Sequence, residues 1–350
     1  EELIAPGAGG VVMGTGIVSV GLATTGAGVL SKILLALASL AWAILTATAG
    51  YRLGFRRQRF LAEATSPAGL TGVAGTAVLG TRFAQLGWST VGDVLLILAV
   101  VAGAALAPAV LRHLPRRTSG QVFMVTVAVE SVSSLAAHAA LDHRLAWLAY
   151  LALVLTGGGI LPYPFLLTRF RLADVALGRG DQWVAGGSLA ICSLAASVAA
   201  RNAHRLAAPA GGTTALHDVA LGLWIAAALW IVPLVAGELR RPRRGYGTRR
   251  WATVFPLGMY AVSAFSLAGS LGATGLRDFA RAWIWIAVAA WAATLLGMVQ
   301  SGWRRWAETA PSRVSYESTD MLHRVAHSAT GLADQPGHAQ QHDHRPDDTQ

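Results

Sequence analysis

Ten stretches of about twenty mostly apolar residues, each the length a helix needs to cross a hydrocarbon core, fill nearly all of residues 11–301. They run 11–29, 31–51, 70–88, 91–112, 121–141, 144–166, 182–203, 217–237, 251–270 and 279–301. Only 13% of the 350 residues are charged, against about 25% in soluble domains, too few to clothe a hydrated surface. The runs are too long and too continuous for the alternating strands of an outer-membrane barrel. The chain is therefore expected to be an all-α polytopic membrane protein with ten transmembrane helices. The first run lacks signal-peptide architecture and is expected to be retained.

Charge placement orients the spans. Arg outnumbers Lys 27 to 1, and residues 1–301 carry the whole basic excess, a net of +12, while residues 302–350 carry −2. The connections after spans two, four, six and eight hold sixteen basic residues, and those after the odd spans hold six. The positive-inside bias then places both termini in the cytoplasm, as an even number of spans requires. Basic clusters that alternate with apolar runs mark membrane-flanking loops, not a nucleic-acid surface. Two domains are expected: a transmembrane unit, 1–301, and a polar, mostly disordered cytoplasmic tail, 302–350. His338, His342 and His344 of that tail read as solvated residues, not as metal ligands. The lone cysteine, Cys192, excludes an internal disulfide and a Cys-based metal site.

The spans alternate in kind. Odd-numbered ones are studded with Gly, Ser and Thr, among them Gly14, Thr15, Gly16, Gly75, Thr76, Ser131, Gly187, Ser188 and Gly258. Even-numbered ones are mainly Leu, Ala, Val, Ile and Trp. Small residues suit close helix approach or a cavity, and bulky ones suit lipid. Five hairpins follow, each pairing an inner with an outer helix, in a quasi-five-fold ring around a central pore that the small residues just named would line. Asp93, Asp142, Asp218 and Asp278 stand where even spans open and are expected to cap them.

Three features bear on chemistry. Pro256 deprives the Ala252 carbonyl of its helical partner and is expected to kink the ninth span, placing Phe255 at the bend. An aromatic ring there is large enough to close a narrow passage; a packed core Phe is the bland alternative. Glu130 lies deep in the fifth span, and an ionisable group at that depth is a functional candidate. Ser134 and His138 follow at i+4 and i+8, so the three lie along one turning face, with Glu130 and His138 as its proton-sensitive candidates. Arg82, near the end of the third span, is expected to snorkel to the interface. No span carries two His residues, so a haem carrier or metalloenzyme is disfavoured; no cofactor, metal or catalytic residue is expected.

The segments MGTGIVSVGL (13–22), GTAVLGTRFAQLG (75–87), WVAGGSLAICSLA (183–195) and WATVFPLGMYA (251–261) resemble the tellurite-resistance/C4-dicarboxylate transporter family. That family includes the bacterial tellurite-resistance permease, malate permeases, sulfite pumps and plant slow-type anion channels. The resemblance covers residues 5 to about 301. It implies a five-hairpin ring with an inner pore, assembled as a homotrimer in the plasma membrane, passing small inorganic or organic anions of the chloride, nitrate, sulfite and malate class. It also implies that Phe255, with Pro256, is the pore gate, and that Gly14, Thr15 and Gly16 belong to the first inner helix. One departure is plain: spans one, three, five and seven have no internal proline. A channel and a proton-coupled dicarboxylate carrier or efflux permease both fit these residues.

Overall fold

The computed structural model describes residues 7–205, 210–243 and 245–309. Thirteen α-helices appear among them: α1 (Gly9–Thr24), α2 (Gly28–Phe55), α3 (Arg57–Ala64), α4 (Leu70–Gln85), α5 (Ser89–Arg112), α6 (Met124–His143), α7 (Ala146–Ile160), α8 (Tyr163–Arg169), α9 (Ala173–Leu177), α10 (Trp183–Arg205), α11 (Ala210–Arg240), α12 (Trp251–Leu271) and α13 (Thr274–Thr309). The described residues contain no strand, only an isolated bridge that joins Thr118 to Phe170. The all-helical expectation holds. Most of the molecule, to Gly297, is one unit; the described residues beyond it, 298–309, are the last turns of α13. The tail and its histidines lie outside the described residues.

Among the described residues, eight helical segments are long and apolar enough to cross a membrane. Each of the ten expected spans contains a helix, but the first and third correspond to α1 and α4, of 16 residues each. At 1.5 Å per residue these reach about 24 Å, short of a hydrocarbon core of about 30 Å. Both are enclosed by other helices, so neither must match the lipid thickness. α1 is buried from Val12 to Leu22, and α4 buries eleven of its sixteen residues.

Burial sorts the helices as their composition does. The apolar windows of α6, α10 and α12 are 72–94% buried, whereas those of α2, α5, α7–α8, α11 and α13 are only 17–28% buried. The exposed faces of the second group are apolar: Ile97, Val101, Val154 and Val232 are each more than 60% exposed. Apolar residues outside and hydroxyls inside is the arrangement of a molecule solvated by lipid.

The buried helices pack in a closed circuit, α1 on α4, α4 on α6, α6 on α10, α10 on α12 and α12 on α1. α2, α5, α7 and α11 lie on their sequence neighbours α1, α4, α6 and α10. The Trp291 indole of α13 donates to Thr15 of α1 (3.0 Å), and Trp283 meets Tyr260 of α12 edge to face. Two glycines show why the circuit closes. A Cβ on Gly187 would stand 2.7 Å from the Pro256 ring, and one on Gly258 would stand 2.7 Å from Ile17. The α10–α12 and α12–α1 contacts thus depend on a bare backbone.

Two expectations are corrected. Asp93, Asp142, Asp218 and Asp278 do not stand at helix starts: α5, α11 and α13 open at Ser89, Ala210 and Thr274, at least one turn before their aspartates, and Asp142 belongs to α6. Asp142 instead ends α6, and Asp93 accepts a hydrogen bond from His143 of α6 (2.8 Å). Arg82 does not snorkel. It is 4% exposed, and its Nε donates to Ser31 Oγ (3.1 Å), because Ser19 and Ser31 offer acceptors between α1 and α2. Pro256 lies within α12, which continues through it to Leu271. The proline lies in its second turn, where only one helical hydrogen bond is lost.

Gly187→Ala is expected to destabilise the protein in detergent by about 1–3 kcal/mol, as overpacking of a tight contact does. Gly50→Ala, in open space on α2, is expected to leave the thermal midpoint unchanged or raise it slightly. Equal midpoints for the two variants would contradict the close α10–α12 approach.

Candidate functional site

Two cavities lie along the five-helix circuit, one at each end. The first, of about 670 Å³, is bordered by the N-terminal turns of all five buried helices or the segments leading into them: Gly10 and Met13, Thr71, Met124, Val184 and Ala252. The second, of about 270 Å³, is bordered by their C-terminal halves: Ile17 and Thr24, Val78 and Gln85, Ser131 and His138, Ile191 and Arg201, Met259 and Gly269. Between them is a layer that lines neither. On α4, α6, α10 and α12 it spans the seven-residue step from Thr71 to Val78, Met124 to Ser131, Val184 to Ile191 and Ala252 to Met259. Seven residues of helix rise about 10 Å. On these four helices about two turns of packed side chains separate the two spaces, and on α1 the step from Met13 to Ile17 is about one turn.

The N-end cavity is basic. Arg179, Arg243, Arg249 and Arg250 line it, and no Asp or Glu does among the described residues. Arg243 is fixed by both oxygens of Glu238 (2.9 and 3.0 Å) and by Thr253 Oγ1 (2.9 Å). Arg250 donates to the backbone carbonyls of Gly245 and Arg243. Arg179 lies 3.8 Å from Asp174. The starts of α1, α4, α6 and α12 carry no side-chain cap. Their positive dipole ends therefore add to the arginines, and an anion gains from both.

The sequence-derived residues fall mainly in the layer. Phe255 is fully buried there, midway between Ala252 and Met259. Gly187, Ser188 and Gly258 share that level, as do Gly14, Thr15, Gly16, Gly75 and Thr76 on α1 and α4. Their contacts differ from those of pore-lining groups. Thr15 and Thr76 turn outward and accept hydrogen bonds from Trp291 of α13 and Trp42 of α2. Gly14, Gly16 and Gly75 pack against Val254, Val78 and Val12. The Ser188 hydroxyl donates to its own helix, at Ala185. Of the small residues singled out, Ser131 alone borders either of these two cavities, while Thr76 borders a separate space of about 350 Å³ beside α2. The reason is geometric: small residues allow helices to touch, and touching helices leave no space beside them.

The expected Glu130 face also divides. Ser134 and His138 border the C-end cavity, while Glu130 borders neither. Its carboxyl lies over Gly159 of α7, where a methyl group would collide with it. The Cys192 thiol of α10 is beside it without hydrogen-bond geometry, and both carboxyl oxygens lack a partner. Sequence reasoning did not single out Arg201, whose Nη1 donates to Ser266 Oγ (2.8 Å) on the C-end cavity wall. Its position at the end of an inner span was the available signal, but the residue was counted as a loop cation.

Residues 4–299 match the voltage-dependent anion channel family. The chain belongs to this family. The match accords with the resemblance carried by the four motifs. Curated relatives include two uncharacterized membrane proteins of Mycobacterium tuberculosis, one from each of two strains. Each is 32% identical over 152 residues, which cover 41% of this chain and 73% of the relative. The chain is thus a multi-pass membrane protein of an anion channel and transporter family.

Thiol labelling tests the two-cavity arrangement. Cys192 is fully buried, so the native chain is expected to resist a membrane-impermeant thiol reagent. In a Cys192→Ser background, Ala252→Cys is expected to react from one side of the membrane and Ser266→Cys from the other. Ala74→Cys, in the layer, is expected to stay unlabelled. Labelling of position 252 from both sides would contradict a closed layer.

Proposed function

We propose that this protein is an anion channel or transporter of the chloride, nitrate, sulfite and malate class. In this reading the helices form five hairpins that cross the membrane ten times, and anions pass along the axis of the five inner helices. The observation that carries it is the pair of cavities on one circuit, each bordered by all five buried helices. The N-end cavity is the cytoplasmic mouth, because the Arg-rich connections adjoin it and basic loops stay inside. Its excess positive charge concentrates anions by a diffuse field, and weak selectivity governed by ion dehydration follows. Both termini are then cytoplasmic, and the proposed setting is the plasma membrane, with one pathway in each subunit of a homotrimer.

Phe255 is the proposed gate and Pro256 its support. The ring occupies the level between the cavities, and the Pro256 ring rests on the Gly187 backbone, which fixes that part of α12 against α10. Removal of the benzyl group should open the layer without disturbing the mouths. Phe255→Ala is expected to raise anion flux in reconstituted vesicles at least tenfold, while Trp285→Ala, on the exposed face of α13, leaves flux unchanged. An unaltered flux in Phe255→Ala would remove the gate.

A second reading, a proton-coupled dicarboxylate carrier, is favoured by one observation: the buried, unpartnered carboxyl of Glu130. A buried charge without a partner is costly, so in this reading Glu130 takes up and releases a proton during transport. If release of that proton drives transport, an imposed pH gradient drives dicarboxylate uptake in the wild type, and Glu130→Gln abolishes that coupling. Uptake still driven by the gradient in Glu130→Gln would exclude Glu130 from it.

A further inference from the structure

The C-end cavity combines features that passage alone does not require. Its wall is mostly apolar, with Ile17, Val20, Val78, Leu194, Val262 and Phe265 upon it. Two ionisable side chains, Arg201 of α10 and His138 of α6, are set into that wall. The guanidinium is held in place by Ser266 of α12 (2.8 Å). His138 Nδ1 lies 2.7 Å from the Ser134 carbonyl oxygen. A carbonyl only accepts, so Nδ1 carries the hydrogen, and Nε2 is left as the proton-accepting nitrogen of the neutral ring. A proton taken up at Nε2 makes that nitrogen a donor and adds a second positive charge to the cavity wall that already carries Arg201.

We propose that this cavity is a binding site for one small monovalent anion, of halide or nitrate size, held by Arg201 and clamped by His138 once its ring is protonated. The proposal rests on the anion pathway put forward above and gives it a specific resting place. Among the described residues, the charged groups facing His138 are Arg201 and, one turn along its own helix, Asp142. The polar groups that α1, α4 and α12 bring to the cavity are uncharged: Thr24, Thr81, Gln85 and Ser266. With the cavity empty, Arg201 opposes a charge on His138. An anion between them removes that opposition, so anion and proton each raise the other's affinity by the same factor. About 270 Å³ accommodates such an anion with several waters, each taking about 30 Å³. The ends of α6 and α10 at this level are negative dipole ends, which suits a cationic pair there.

Two measurements on the full-length protein test the site. The first is the bromide concentration that half-saturates flux in vesicles, with bromide applied on the C-end side at about pH 5.5 and at about pH 7.5, on either side of the ordinary imidazole value of about 6.5. The wild type is expected to half-saturate at severalfold lower bromide at the acidic pH. His138→Gln is expected to lose that pH dependence while flux still saturates, and Arg201→Gln to need about tenfold more bromide at both pH values, as loss of a charged hydrogen bond implies. Unchanged pH dependence in His138→Gln, or unchanged half-saturation in Arg201→Gln, would overturn the proposal. The second measurement does not depend on flux: anomalous diffraction from bromide-soaked crystals at acidic pH. A bromide peak beside Arg201 in the wild type, absent in Arg201→Gln, would support the site even if no variant conducted and the pathway reading failed. No peak in the wild type would overturn the site even if the protein conducts.

Discussion

Close approach between five buried helix backbones is the constraint on which the rest of the structure depends. Hydrocarbon solvates neither backbone polar groups nor hydroxyls, so a chain rich in Gly, Ser and Thr must bury them against other helices. Gly187 against Pro256 and Gly258 against Ile17 bring α10, α12 and α1 together with no side chain between them. The same need turns Thr15 and Thr76 outward to the indoles of Trp291 and Trp42. The outer helices then meet lipid with Ile, Leu, Val and Trp.

This packing also explains why the circuit is closed at its middle and hollow at its ends. Glycines concentrate at the middle level, where contact is tightest and Phe255 is enclosed. Toward the N-terminal ends the helices give way to 3-10 turns at 67–69, 120–123 and 248–250, and arginines border the space that opens. Toward the C-terminal ends Val20, Leu194, Val262 and Phe265 line the smaller space, with Arg201 and His138 among them. Basic residues thus border both cavities, and the layer between them carries none.

Much of the fold was legible because lipid imposes a simple rule. Runs of about twenty apolar residues become helices, and the contrast between small and bulky compositions separates buried helices from exposed ones. Helix ends were less legible. Asp142 looked like a cap and instead ends α6, since a hydropathy run records immersion in lipid and not the first turn of a helix. Side-chain direction was the least legible. Thr15, Thr76 and Glu130 share helices with cavity-lining residues yet point elsewhere, a matter decided by neighbours far away in the chain. Arg201 escaped notice because an arginine at a span boundary looks the same in sequence whether it faces bulk water or a cavity.

The central claim is that anions traverse the axis shared by the two cavities. Its most direct test is the reversal potential of the current carried by the purified protein in a planar bilayer under a chloride gradient, with an impermeant cation on both sides. The account predicts a reversal potential that follows the chloride equilibrium potential as the gradient is changed. A potential that stays at zero, or a current that follows the cation when a permeant one is substituted, would contradict it.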